Sequence, residues 1–468
     1  MSAGGVEYAS AAGRGVVLAA VLGSGMTLLD GTVVNVALRT IGRDLDASLA
    51  DLQWITNGYL LTLASLILLG GALGDRYGRR RIFVLGTWGF AAASLVCGIA
   101  PTPEVLIAAR LVQGVAAALL TPGSLAMIQG AVVPSDRGRA IGAWSGLGSI
   151  AAAVGPFIGG ALVQYVSWRW IFLINLPLAV ATVLAAQKWV PETKDPGEAG
   201  RFDILGAVLA SAALGGTTYA LIEWGHASAP YAAVVGVASA VGFLVVEHRR
   251  AEPMLPLGLF GERTFSAANA MTFLVYAALG AVLFFLVLQL QTVVGYPPLR
   301  AGLATLPITV CMLLLAARGG ALSQRIGPRI PMTVGPTVMA LGVVWLAYVG
   351  AGSSYWLDVL PPLTIFGLGL SLMVAPLTAT VLAAAPDERA GLASGVSNAV
   401  ARAGSLLAVA ALPVAVGLSG TEYDDPVAFG HAYHSATLAC AVLLALGGAV
   451  PWLTIRNPQR PVVPAPTL

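Results

Sequence analysis

The sequence predicts an all-α polytopic membrane protein: two six-helix bundles with two additional transmembrane helices, fourteen in total. Three observations carry this. Of the 468 residues 57% are hydrophobic and 10% charged, with a mean hydropathy of +0.83, whereas soluble domains run near a quarter charged. The apolar residues fall into runs long enough to cross a hydrocarbon core, which takes about 20 residues per helix. And two short stretches recur, in the same order and at nearly the same offset, in the second half of the chain.

Taken in order, the spans are expected at 16–38, 52–73, 82–100, 104–127, 138–164, 169–190, 204–224, 231–247, 266–291, 301–323, 331–350, 358–384, 390–416 and 432–454. The first run is too long for a signal peptide and no small-residue cleavage site follows it, so it is expected to stay as a span. An even number of crossings puts both termini on one side. Of the 25 basic residues, eighteen then fall on the side of the termini, four (Arg39, Arg43, Arg169 and Arg300) on the other, and three (Arg110, Arg318 and Arg402) within spans. Positive charge stays inside, so both termini are expected in the cytoplasm and the protein in the cytoplasmic membrane. Trp168, Trp170, Trp224 and Trp356 at outer ends, with Trp189 and Trp452 at inner ends, fit interfacial belts, and ordinary packing explains each equally well. Only Lys188 and Lys194 among the basic residues are lysine, a bias fitting a GC-rich, bacterial genome. Cys97, Cys311 and Cys440 stand singly in apolar runs and read as packing thiols.

The recurring stretches are "GALGDRYGRR" (71–80) and "GALSQRIGPR" (320–329), 249 residues apart, and "PSDRG" (134–138) and "PDERA" (386–390), 252 apart. The first pair follows the second helix of each half; the second pair precedes the fifth. This order implies a duplicated unit with parallel topology, the arrangement in which a substrate site lies between the halves. The division is a tail at 1–15, a bundle at 16–190, an inserted helix pair at 204–247, a second bundle at 266–454 and a tail at 455–468.

"GGALGDRYGRRR" (70–81), "LIAARLVQGVAAA" (106–118), "AVGPFIGG" (153–160) and "LDGTVVNVAL" (29–38) together resemble the motifs of the major facilitator superfamily, in its fourteen-helix drug:proton antiporter branch. "WRWIFLINLP" (168–177) and "LQTVVGYPPLRAGLATLP" (290–307) are similar to further stretches of those exporters. One departure is Ala151, where the fifth-helix motif carries glycine. The resemblance covers about residues 16 to 455 and implies the major facilitator fold and export activity.

The physics of each motif reads separately. Around Gly71 and Gly78, small residues let the second helix approach a neighbour. Asp75 is a carboxylate suited to a facing helix N-terminus; the resemblance puts that partner at the start of the thirteenth helix, near Ala390, as a cytoplasmic latch. Arg76 and Arg79 belong to the same turn, and the plainer reading is that its arginines only fix topology. The repeat carries Gln324 in place of Asp75, so one half alone has the charged latch. In the fifth helix, Gly155-Pro156 removes a backbone hydrogen bond and is expected to kink the helix, and Gly159 and Gly160 are expected to pack closely on the other half. The resemblance ties this motif to exporters; a structural kink is the alternative.

Few charges lie deep in the spans. At about 1.5 Å per residue, Asp30 sits roughly 9 Å below the outer boundary and Arg110 roughly 12 Å, so the two can meet, directly or through Gln113 or water. Burial raises a carboxylate's pKa and a guanidinium lowers it, which makes Asp30–Arg110 a candidate proton switch. The alternatives are a static buried bridge or direct contact with substrate. Asn35, Asn57, Gln113, Gln289, Asn398 and Arg402 are the candidate substrate cavity, with interhelical hydrogen bonding as their default role. Arg318 is expected to snorkel, and Glu223 to be solvated at an interface.

The expected function is a proton-driven exporter of lipophilic drugs, antiseptics or antibiotics, acting by alternating access and as a monomer. The alternatives are a proton-linked uptake carrier and a non-transporting sensor or scaffold. No phosphate-binding loop, nucleophile elbow or metal-ligand spacing occurs in the sequence. No enzyme activity, cofactor, metal or nucleic-acid partner is therefore expected; the partners are a small molecule, protons and the bilayer.

Overall fold

The computed structural model describes residues 5–194, 203–250, 253–386 and 389–457. Fourteen long helices run through them: α1 (Ala11–Leu45), α2 (Leu49–Tyr77), α3 (Arg79–Ile99), α4 (Pro103–Ala131), α5 (Arg137–Tyr165), α6 (Trp170–Trp189), α7 (Ile204–Ile222), α8 (Ala229–Arg249), α9 (Arg263–Thr292), α10 (Pro298–Ile326), α11 (Arg329–Leu346), α12 (Tyr355–Ala383), α13 (Ala390–Ala415) and α14 (Pro426–Thr454). Thirteen of them are long and apolar enough to cross a membrane. The other, α5, has 29 residues and stands in the place of the fifth expected span.

Their boundaries follow local chemistry. Ser48 and Asp51 form a reciprocal capping box that starts α2. Asp203 starts α7 by accepting the Gly206 N–H at 2.7 Å, and Asp425 starts α14 by accepting that of Val427 at 2.8 Å. α1 has 35 residues against the expected 16–38, because hydropathy marks only the hydrocarbon crossing while the helix continues through Arg39 and Arg43 into the polar layer. Two expected spans are interrupted: α6 at Ile174, between Leu173 and Asn175, and α10 at Thr305, between Ala304 and Leu306. Pro177 and Pro307 lie just beyond the breaks, and a proline ring displaces the carbonyl four residues before it.

The duplication is visible in the packing. In the first half α1 packs on α5 and α6, α2 on α4, and α3 on α4 and α6. In the second half α9 packs on α13 and α14, α10 on α12, and α11 on α12 and α14, pair for pair the same arrangement. Both repeated turns also place their glycine at positive φ, Gly78 at 116° and Gly327 at 85°, where a side chain is strained. The halves meet through α1 with α9, α2 with α13 and α5 with α10.

The inserted pair is asymmetric. α7 packs on both α2 and α13, while α8 packs on α7 and leaves Val234, Val235, Val237, Val241 and Leu244 exposed. The two cross closely at Gly216 and Gly236, where a Cβ on Gly216 would lie 2.8 Å from the Gly236 nitrogen. At one end Arg250 pairs with Asp203 at 2.7 Å; at the other, Trp54 of α2 donates to Glu223 at 3.0 Å.

Candidate functional site

At the centre of the first half Asp30, fully buried, meets Arg110: Nη1 reaches Oδ2 at 2.5 Å. The sequence places them there because α1 and α4 cross at corresponding depths, and the structure joins them directly. The other carboxylate oxygen accepts from Gln113 Nε2 at 2.9 Å and from Asn175 Nδ2 at 3.4 Å. Arg110 spreads its remaining donors over the Ile55 carbonyl (2.9 Å) and Gln113 Oε1 (2.7 Å), and lies over the rings of Tyr59 at 4.4 Å and Phe172 at 5.8 Å. Ser94 Oγ accepts from both Gln113 and Asn175.

This shell has a chemical consequence. If Asp30 takes up a proton it ceases to pair with Arg110, but Arg110 keeps the Ile55 carbonyl, Gln113 and two aromatic faces. Asp30 can change charge without leaving a guanidinium bare in a dry core, the situation that makes broken buried pairs costly. Asn175 and Ser94 escape sequence reasoning, since one amide in "FLINLP" and one serine in "AAASLV" look like ordinary interhelical polar residues. The usable signal for Asn175 was Pro177: the proline-broken helix exposes a position where an amide is buried.

The other candidates scatter. Asn57 is buried with both amide atoms unpartnered, and Asn35 is half-buried. Gln289 donates to the Val349 carbonyl at 2.7 Å, tying α9 to the segment after α11 within one half rather than lining a cavity. Asn398 lines a cavity of about 140 Å³ between α9, α12 and α13, together with Thr272, Tyr276, Thr378, Ser394 and Ser397. Arg402 stands one turn further along α13, within electrostatic reach of Tyr59 and Tyr276.

The turn around Asp75 is anchored within its own half. Asp75 pairs with Arg79 at 2.8 Å, Arg79 N donates to the Thr193 carbonyl, and the N–H groups of Arg80 and Arg81 donate to Glu192. Arg76 lies 5.8 Å from the Tyr77 ring, and Gly71 faces Pro122 of α4 in ordinary contact. The expected latch at the start of α13 falls beside residues 387–388 and on the side chain of Ala390, outside the described residues.

The glycines of α5 divide between the halves. A Cβ on Gly155 would meet Thr32 Oγ1 at 2.3 Å and one on Gly159 would meet Val33 Cγ2 at 2.1 Å, both on α1. Gly159 therefore packs within its own half, contrary to expectation, because neighbouring residues point about 100° apart around a helix: Gly155 and Gly159 share the face towards α1, and Pro156 and Gly160 the face towards α10. Gly160 does face the other half, where a Cβ would lie 2.6 Å from the Leu299 Cα; reciprocally, one on Gly302 would lie 2.3 Å from the Pro156 carbonyl oxygen. Pro156 sits inside an unbroken helix.

Hydrogen bonds join the halves at the end away from the Asp75 turn. Gln53 donates to the Val409 carbonyl (2.7 Å), Gln291 to Val36 (2.9 Å), Tyr423 to Ala47 (2.8 Å) and Leu49 N to Gly420 (2.8 Å). Arg39 binds the Gln291 carbonyl, and Arg43 pairs with Asp424 at 3.0 Å. That end of the seam is closed. Towards the other end Leu68 of α2 rests against Gly395 of α13.

At the expected helix ends Trp168 takes the packing alternative, and Glu223 departs from expectation. Trp168 is 2% exposed and donates to Asp44 at 2.7 Å, beneath Arg169, so it is a packing residue. Glu223 is partly buried between Trp54 and His226 rather than solvated. Trp224 and Trp356 stay exposed, and Arg318 caps the Leu314 carbonyl of its own helix from an exposed position.

Two parallel six-helix bundles facing each other across a seam, with buried charge near it, define a multi-pass membrane transporter. The chain matches the Major Facilitator Superfamily over residues 20–409 and belongs to that family. It is 35% identical over 460 residues to the puromycin resistance protein pur8 of Streptomyces alboniger, covering 94% of this chain and 90% of that one. It is 35% identical to the methylenomycin A resistance protein of Bacillus subtilis, covering 94% and 96%. Its fold is similar to that of the D-xylose–proton symporter, with a TM-score of 0.64 at 13% identity over 92% of this chain and 97% of the other.

Proposed function

We propose that this transporter exports lipophilic small molecules, of the drug or antibiotic class, across the cytoplasmic membrane in exchange for protons. The relatives named for resistance support the direction and the class of cargo. The observation that carries the coupling is the Asp30–Arg110 pair: a buried carboxylate whose partner keeps other contacts when Asp30 is neutral. In this reading Asp30 loads a proton when the closed end of the seam opens and releases it on the arginine-rich, cytoplasmic side. Arg110 cannot deprotonate and balances the site in the charged state. The two termini lie in the cytoplasm and the protein works as a monomer, with no cofactor beyond the proton gradient.

The test uses everted vesicles holding a preformed pH gradient. Adding puromycin or another lipophilic drug from a resistance panel should dissipate the gradient with the wild-type chain. Asp30→Asn, which imitates the protonated state, should abolish that response while the purified protein keeps its unfolding temperature. An unchanged response in Asp30→Asn removes Asp30 from coupling. Accumulation of a drug inside cells on expression reverses the proposed direction.

A further inference from the structure

The deep charges do not cancel. Among the described residues Asp30 is the sole carboxylate well inside the helices, and Arg110, Gln113 and Asn175 already occupy it. Arg402, midway along α13, has no salt bridge or hydrogen bond among the described residues, and its Nε is buried without a partner. α9, α10, α13 and α14 contain no Asp or Glu. Arg402 is half-buried, so part of its guanidinium stays accessible while Nε is cut off from any partner, and charged groups held inside a span in this way mark binding or transport functions.

The surroundings of Arg402 are built to receive something. Ser394, Asn398 and Arg402 follow one another at four-residue intervals, so they form a polar stripe on one face of α13. Ser394 and Asn398 line the 140 Å³ cavity, which Tyr276 of α9 also lines, and Tyr276 lies within electrostatic reach of Arg402. From the opposite half Tyr59 lies within electrostatic reach of the same guanidinium, and its hydroxyl is buried without a hydrogen-bond partner. The site therefore offers donors from both halves and one net positive charge, and lacks an acid to answer it.

We infer that Arg402, with Tyr59, Tyr276 and Asn398 around it, binds an ionised acidic group, a carboxylate or phenolate, on the exported molecule. The substrates this chain prefers are then amphipathic organic acids rather than cations. A guanidinium matches a carboxylate with two parallel N–H donors, and the apolar cavity walls, Leu377 and Val381, take the lipophilic body. This assignment rests on the export reading for its biological sense, but binding tests it independently.

The probes are matched triplets on one aromatic skeleton: anthracene-9-carboxylate, its methyl ester, and 9-anthracenylmethylammonium, with the corresponding naphthalene set. Binding is read by fluorescence on the purified full chain in nanodiscs. Wild type should hold the acid at least about tenfold more tightly than the ester or amine, the size of a charge-assisted hydrogen bond. Arg402→Gln should erase that preference and leave the ester's affinity unchanged, which also shows that the variant is folded; Arg402→Lys should keep part of it. The inference is overturned if the amine binds best, if Arg402→Gln retains the preference, or if no acid binds. Proton movement driven by the amine in everted vesicles sinks the acid preference and spares export. Arg402-dependent acid binding without any proton movement does the reverse.

Discussion

In the first half, α1 carries Asp30 into a shell of Arg110, Gln113, Asn175 and Ser94; in the second, the repeat offset of 249 residues puts Leu279 in its place on α9. Yet the helices of the two halves pack in the same pairs. Their repeated turns even make the same bond: the Arg80 N–H reaches Glu192 at 3.1 Å, and the Arg329 N–H, 249 residues on, reaches Asn457 at 3.2 Å. The scaffold recurs and the charge does not. Helix packing in a membrane depends on small residues and shape, so a duplicated bundle stands without repeating its ions, and the ions mark where one half has taken on separate work.

The largest effect expected from breaking this contrast is at the ion pair. Arg110→Met leaves Asp30 buried without its partner and should cost about 3–5 kcal/mol in unfolding of the purified protein, whereas Asp30→Leu with Arg110→Met should recover most of it. If the double variant is as unstable as the single, the two residues are not one closed unit.

The next is at the seam. Gly302→Val drives a side chain into the Pro156 carbonyl, an overpacking of about 1–3 kcal/mol against the closed arrangement. Thr40→Cys, in the cavity at the closed end, should then label faster with a membrane-impermeant maleimide, against a quiet background since Cys97, Cys311 and Cys440 are buried. Gly159→Val, which clashes with α1 of its own half, should destabilise without speeding that labelling. Equal labelling in both variants would dissolve the distinction between seam and interior.

At the two turns, Gly78→Ala and Gly327→Ala should each cost about 1–3 kcal/mol, because both force a side chain into positive φ. Similar losses in unfolding temperature would place the strain in the repeated backbone, and a loss confined to Gly78 would place it in the Glu192 anchor. The smallest effect is Arg43→Ala: its pair with Asp424 has side chains 56% and 38% exposed, so about 0–1 kcal/mol is expected, fading in high salt.

Much of this architecture was legible beforehand. Hydropathy located the crossings, and residue depth brought Asp30 and Arg110 together, because rise per residue is constant in a helix. What sequence could not supply was direction around the helix axis. Gly159 and Gly160 are adjacent, yet one faces α1 and the other α10. Gln289 and Gln291 are two residues apart, yet the first binds within its half and the second across the seam. Asn175 joined the Asp30 shell through a proline break that hydropathy averages over. Trp168 looked interfacial because its position is terminal, while Asp44, itself exposed, gave its indole N–H an acceptor and the ring was buried.

The inserted pair gives the molecule a front and a back. α7 lies along the α2–α13 flank of the seam with α8 outside it, and these helices pack on no part of the α5–α10 flank among the described residues. A lipid-dissolved molecule drifting towards the first flank meets a wall of valine and leucine before it meets the junction. On the second it meets the junction itself, where Gly160 and Gly302 hold the backbones in direct contact. The inserted pair thus covers one flank of the seam and leaves the other without such a cover, so a two-fold repeat becomes a protein with two unlike membrane faces.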